Sequence, residues 1–100
     1  TAVDRIIDET YAMERYIDAQ SGGPGLGWFR VVHTPAEARE VIGAGKMAVL
    51  LGIETSNLFD CRLTPNAGAP ACDEAYIEAR LDYYYDLGVR AIFPVHKYDN

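Results

Sequence analysis

Apolar and polar positions alternate between two periods along this chain. From Ala2 to about Ala19 the apolar residues Val3, Ile6, Ile7, Met13, Tyr16 and Ile17 recur at helical spacing, with Asp4, Arg5, Asp8, Glu9, Glu14, Arg15 and Asp18 mostly elsewhere, so the spacing predicts an amphipathic helix. Ser21 to Gly27, with four glycines and a proline, breaks it. Trp28 to Val32, aromatic and β-branched, reads as a short strand. Thr34-Pro35-Ala36-Glu37 then carries a helix start: Thr34 as N-cap, Pro35 in the first helical position, and Glu37 placed to close a capping box. That helix continues through Ala38, Val41 and Ile42 and stops at Gly43 to Gly45.

Lys46 to Glu54 is the stretch around which the rest is arranged. Met47 to Ile53 is an unbroken apolar run closed by a carboxylate, the pattern of a central parallel strand covered on both faces. Loops at the carboxyl ends of such strands hold the chemistry of α/β proteins, and Glu54 stands there. A third helix is predicted from about Asp73 to Leu87, with Ile77, Leu81, Tyr84 and Leu87 facing inward and Gly88 as its stop. Of Tyr83, Tyr84 and Tyr85, one is expected in the core and two partly exposed. A last strand, Val89 to Val95, delivers His96 at its carboxyl end, with Pro94 weakening the pairing there.

The order helix, strand, helix, strand, helix, strand predicts an α/β chain with three parallel strands joined by right-handed crossovers, treated as one unit over residues 1–100. With the second and third strands adjacent, Glu54 and His96 would emerge side by side, about 4.8 Å apart at the strand level. A carboxylate and an imidazole converging there suit catalysis or metal binding, and equally a structural pair. His33, at the end of the first strand, could be a ligand or an acid/base group, and equally neither. The glycine-rich stretch matches no phosphate-loop motif, because no strand precedes it and no Lys-Ser/Thr follows, and reads as a connection.

Composition narrows the partners. A net charge of -6, with nine scattered Lys and Arg residues, argues against nucleic acid. No apolar run approaches the roughly 20 residues of a membrane span, and no signal peptide is visible. The first residue, Thr1, and an end at Tyr98-Asp99-Asn100 directly after a strand predict an internal stretch of something longer. Between Glu54 and the third helix lies a connection too long for an ordinary βα loop, and it contains both cysteines, Cys61 and Cys72. They could form a disulfide, which would favour an exported protein, remain free thiols, or bind a metal as a pair.

GKMAVLLGIE, followed by a helix ending Leu87-Gly88-Val89-Arg90 and a strand ending Val95-His96, resembles the membrane (renal) dipeptidase family of zinc-dependent hydrolases over roughly residues 30 to 100. Thr55-Ser56-Asn57 stand where the family has glycines, and Val95 precedes His96 in place of threonine, which marks a divergent branch. The resemblance implies a partial (β/α)8 TIM barrel, with two zinc ions in the complete barrel. It implies that Glu54 is the carboxylate bridging those metals and that His96 is catalytic, facing the scissile carbonyl of a small peptide-like substrate. The family's other ligands, a His-x-Asp pair on the first strand and later His and Asp residues, are not in this chain, so the fragment alone is expected to be inactive and to self-associate through exposed strand edges. Two readings of other classes stand beside it: a non-catalytic barrel binding module of a secreted protein, and a barrel enzyme of different chemistry such as one taking phosphorylated sugars.

Overall fold

The computed structural model describes residues 1–55, 58–61 and 72–93, and the chain falls into two compact units, Thr1–Leu51 and Gly52–Asn100. It is a mixed α/β chain. In order, it runs α1 (Ala2–Gln20), β1 (Phe29–Val31), α2 (Pro35–Gly43), β2 (Met47–Val49), β3 (Leu51–Glu54), a single 3-10 turn (Leu58–Asp60), α3 (Glu74–Asp86) and β4 (Val89–Phe93).

The first unit is organised on α1. Thr1 caps it in a reciprocal box with Asp4, its hydroxyl accepting the Asp4 N–H at 3.2 Å. The buried face differs from the apolar stripe of the sequence: Ile7, Ile17 and Asp18 are buried, whereas Ile6, Met13 and Tyr16 are exposed. The helix is rotated so that Glu14 and Asp18 turn inward, where basic and backbone donors meet them. An apolar count cannot register acids that are paired on the inside.

β1 and β2 pair in parallel, Phe29 opposite Met47, Arg30 opposite Ala48 and Val31 opposite Val49. Hydrogen bonds from Met47 N to the Trp28 carbonyl (2.8 Å) and from Val32 N to the Val49 carbonyl (2.9 Å) extend the pairing at both ends. Phe29, Val31 and Val32 are buried. α2 begins as the sequence predicts, with Thr34 accepting from Glu37 N and Pro35 in the first turn. Its Glu37 side chain, however, accepts from the N–H of His33, one residue earlier than a capping box requires.

The single central strand expected over Lys46–Glu54 is divided. Leu50 separates β2 from β3, and each pairs with a different partner: β1 with β2, β3 with β4, giving two two-stranded sheets. β3 is also not apolar on both faces. Leu51 and Ile53 are buried while Gly52 and Glu54 are exposed, an ordinary alternation that glycine conceals in the sequence. Gly52 lies against β4: a Cβ built there would meet the Ala91 Cβ at 3.4 Å.

In the second unit Asp73 caps α3, accepting from Tyr76 N at 2.8 Å. Tyr84 is its buried residue, and Tyr83 and Tyr85 are exposed, as expected of three consecutive helical positions. Ile77 and Leu81, read as inner positions, are exposed instead. A disulfide joins Cys61 to Cys72, closing the connection ahead of α3 over a sequence separation of 11. Closing a loop of that size stabilises by about 3 kcal/mol through the entropy of the unfolded chain. Phe59, in the left-handed region at φ 58°, stacks on Tyr84 with ring centroids 5.7 Å apart, and its carbonyl accepts from the Tyr76 hydroxyl at 2.8 Å. Two aromatic partners therefore hold that unusual backbone. No helix among the described residues is long and apolar enough to cross a membrane.

Candidate functional site

Glu54 is the last residue of β3 and is exposed, and β3 pairs with β4, the strand that leads toward His96. His96 itself, with Pro94 and Val95, lies outside the described residues. The carboxylate is an anionic oxygen donor of the type zinc accepts, and its two oxygens suit a bridging role, so its chemistry fits the metal that the sequence resemblance implies. Among the described residues no group of three His, Cys, Asp or Glu could hold a metal ion. The cysteines join each other and are not a metal pair.

Two further polar clusters occur in the first unit. Asp18, 7% exposed, accepts from the backbone N–H of Gly25 at 2.9 Å and of Gly27 at 2.8 Å, and pairs with the Arg30 guanidinium. Arg30 also reaches Glu14 at 3.4 Å, and the Glu14 carboxylate accepts from Val31 N at 2.7 Å. The glycine-rich stretch is thereby explained: it wraps an internal carboxylate and is a structural connection. Glycine is required at 27, where a Cβ would sit 2.7 Å from Asp18 Oδ1 and 2.9 Å from Ile17 Cγ2. Nothing in the spacing of the sequence singled out Asp18, since its partners lie 7 to 12 residues away across a turn.

The Gly25 N–H foremost, then the Gly27 N–H and Arg30, hold the Asp18 carboxyl below the ordinary aspartate value of 3.8, against burial, which pushes it up. A folded-state value below the unfolded one means that the unfolded chain takes up the proton first as the pH falls. Asp18 therefore contributes stability that is fully present above about pH 4 and is lost as the pH drops from there through the folded value. The urea midpoint of the protein is expected to fall between pH 5 and 2 more steeply than that of Asp18→Asn; parallel curves for the two would show that the carboxylate carries no such linkage.

The second cluster is built on His33. Its Nε2 lies 3.0 Å from the Tyr11 hydroxyl, and its Nδ1 lies 3.6 Å from Glu37 Oε1, the oxygen that also accepts the His33 backbone N–H at 3.1 Å. His33 was legible as a residue at a strand end. Tyr11 was not, because it stands 22 residues earlier on α1 and only folding brings the two rings together.

In the second unit, Arg80 lies over the rings of Tyr83 (4.4 Å) and Tyr84 (5.1 Å), and Arg90 over that of Tyr85 (3.6 Å). An open concavity of about 400 Å³ between α3 and β4 is lined by Leu81, Asp82, Tyr85, Val89, Arg90 and Ile92 among others. Arg90 is already engaged by the Tyr85 and Val89 carbonyls, so this cluster consolidates the end of α3.

The class defined by these observations is an α/β chain in two units with a carboxylate at a strand end. No protein-family profile, curated protein sequence or solved structure matches it.

Proposed function

We propose that this chain supplies part of the metal-binding end of a zinc-dependent hydrolase built as a (β/α)8 barrel, acting on the amide bond of a small peptide-like substrate. The observation that carries the reading is Glu54, an exposed carboxylate that ends a strand paired with the strand leading to His96. The order of motifs from GKMAVLLGIE to Val95-His96 is the remaining support.

When bound, a pair of zinc ions supplies a hydroxide nucleophile at neutral pH. The part of this chain is then to hold and to orient. Glu54 would be the residue of this chain that holds the metals, its backbone kept in place by β3–β4 pairing. His96 would serve as the hydrogen-bond donor for the substrate carbonyl oxygen, where negative charge develops. The remaining ligands come from outside the described residues. The Cys61–Cys72 disulfide supports an exported location, where oxidising conditions preserve it.

Elemental analysis of the full-length protein and of Glu54→Gln, together with a dipeptide panel, tests the reading. About two zincs per chain, falling in the variant along with hydrolysis, is the expected result. No metal in either protein would sink it and leave Glu54 a structural residue of a binding module.

A further inference from the structure

We propose that Tyr11 is a nucleophile, activated by His33 and aligned through Glu37, that accepts an acyl group from a neutral activated ester. The three residues reproduce the nucleophile, base and orienting-acid arrangement that recurs on unrelated folds. The Glu37 carboxylate, 3.6 Å from Nδ1, is beyond hydrogen-bond distance but within electrostatic reach, and it favours the tautomer with its proton on Nδ1. That leaves the lone pair of Nε2 to accept the Tyr11 O–H at 3.0 Å. Glu37 is itself held in place, since the same oxygen accepts the His33 backbone N–H and its own N–H donates to Thr34. Tyr11 and His33 are both half-buried, so the pair is preorganised and still within reach of a ligand.

Charge selects the substrate class. The carboxylate of Glu37 beside the ring and a net charge of -6 repel phosphoryl anions, whereas a neutral acyl donor meets no such penalty. The step balances without a co-reactant. The Tyr11 oxygen bonds to the carbonyl carbon as its proton passes to Nε2. The bond from that carbon to the ester's aryloxide oxygen breaks, and the proton moves from Nε2 to the departing oxygen. The products are an acyl ester on Tyr11 and a neutral phenol, with His33 returned to its starting form.

The site lies wholly in the first unit and needs no metal, so it stands or falls separately from the hydrolase reading. The test treats the full-length protein with 4-nitrophenyl acetate and maps acetylation by mass spectrometry. Trypsin releases Ile6–Arg15, in which Tyr11 is the one tyrosine of the chain's seven. Tyr11 is expected to acetylate about tenfold or more faster than any other tyrosine, and His33→Gln to remove at least that advantage. Glu37→Gln, which keeps the shape but removes the charge, is expected to slow the reaction and to shift its pH profile, a change that a purely structural role would not produce. Tyr11 reacting no faster than the other tyrosines, a comparison made within the unaltered protein, overturns the proposal. So does a His33→Gln variant of unchanged circular dichroism that acetylates at the original rate.

Discussion

Tyr84→Ala is expected to destabilise the protein by about 3–5 kcal/mol, the range for deleting a large buried aromatic ring. Tyr84 is 4% exposed and is the buried residue of α3. Its ring stacks on Phe59 at an interplanar angle of 8°, meets Tyr83 edge-on at 4.9 Å between centroids, and lies under the Arg80 guanidinium. Deleting it leaves a cavity and removes one of the two aromatic partners that hold the left-handed backbone of Phe59. Tyr84→Phe retains the ring and loses the hydrogen bond that its hydroxyl accepts from Arg80 at 3.3 Å, a change of about 1 kcal/mol. Tyr85→Ala, at an exposed position whose main partner is Arg90, is expected to remain at about 1 kcal/mol or below. Urea titration of the three variants checks the order. Equal losses for Tyr84→Ala and Tyr85→Ala would refute the assignment of Tyr84 as the core of the second unit.

Arg30→Ala is expected to have the next largest effect, about 3 kcal/mol. Removing one partner of a buried ion pair costs about 3–5 kcal/mol because the other charge is left without compensation. The low end applies because 18% of the Arg30 side chain remains in water. Two acids converge on this one guanidinium, Asp18 at one terminal nitrogen and Glu14 at the other. Without it, two carboxylates face each other beside Val31 and Gly27. Arg30→Lys should recover only part of the loss, since an ammonium group lacks the planar fork that divides between two acids. Thermal unfolding of both variants gives the comparison, and a loss below about 0.5 kcal/mol for the alanine would show that the acids are held by backbone N–H groups alone.

The helices were the most legible part of the chain. Thr34 with Pro35 is a local signal resolved within one turn, and α2 begins where it stands, whereas the Thr1–Asp4 box and the Asp73 cap, equally local, were found only in the structure. The disulfide stood in the sequence as one of three alternatives, and proximity after folding selected it. The division of Met47–Glu54 was not legible. Gly52 is apolar by type yet exposed by position, so an alternating strand read as a continuous hydrophobic one, and the choice of β1 or β4 as partner depends on residues far away in the chain.

The candidate sites divide in the same way. Glu54 was found from its place at the end of an apolar run, a property of neighbours in sequence. Asp18 and Tyr11 were not, because their partners lie well beyond one helical turn: Gly25, Gly27 and Arg30, 7 to 12 positions on, in one case, and His33, 22 positions on, in the other. Local chemistry set the caps, the breaks and the residues at strand ends, since those interactions span one turn of chain. Which face of α1 turned inward, and which acids became internal, depended on donors that other segments bring near, because a buried carboxylate is stable only where a guanidinium or backbone N–H meets it.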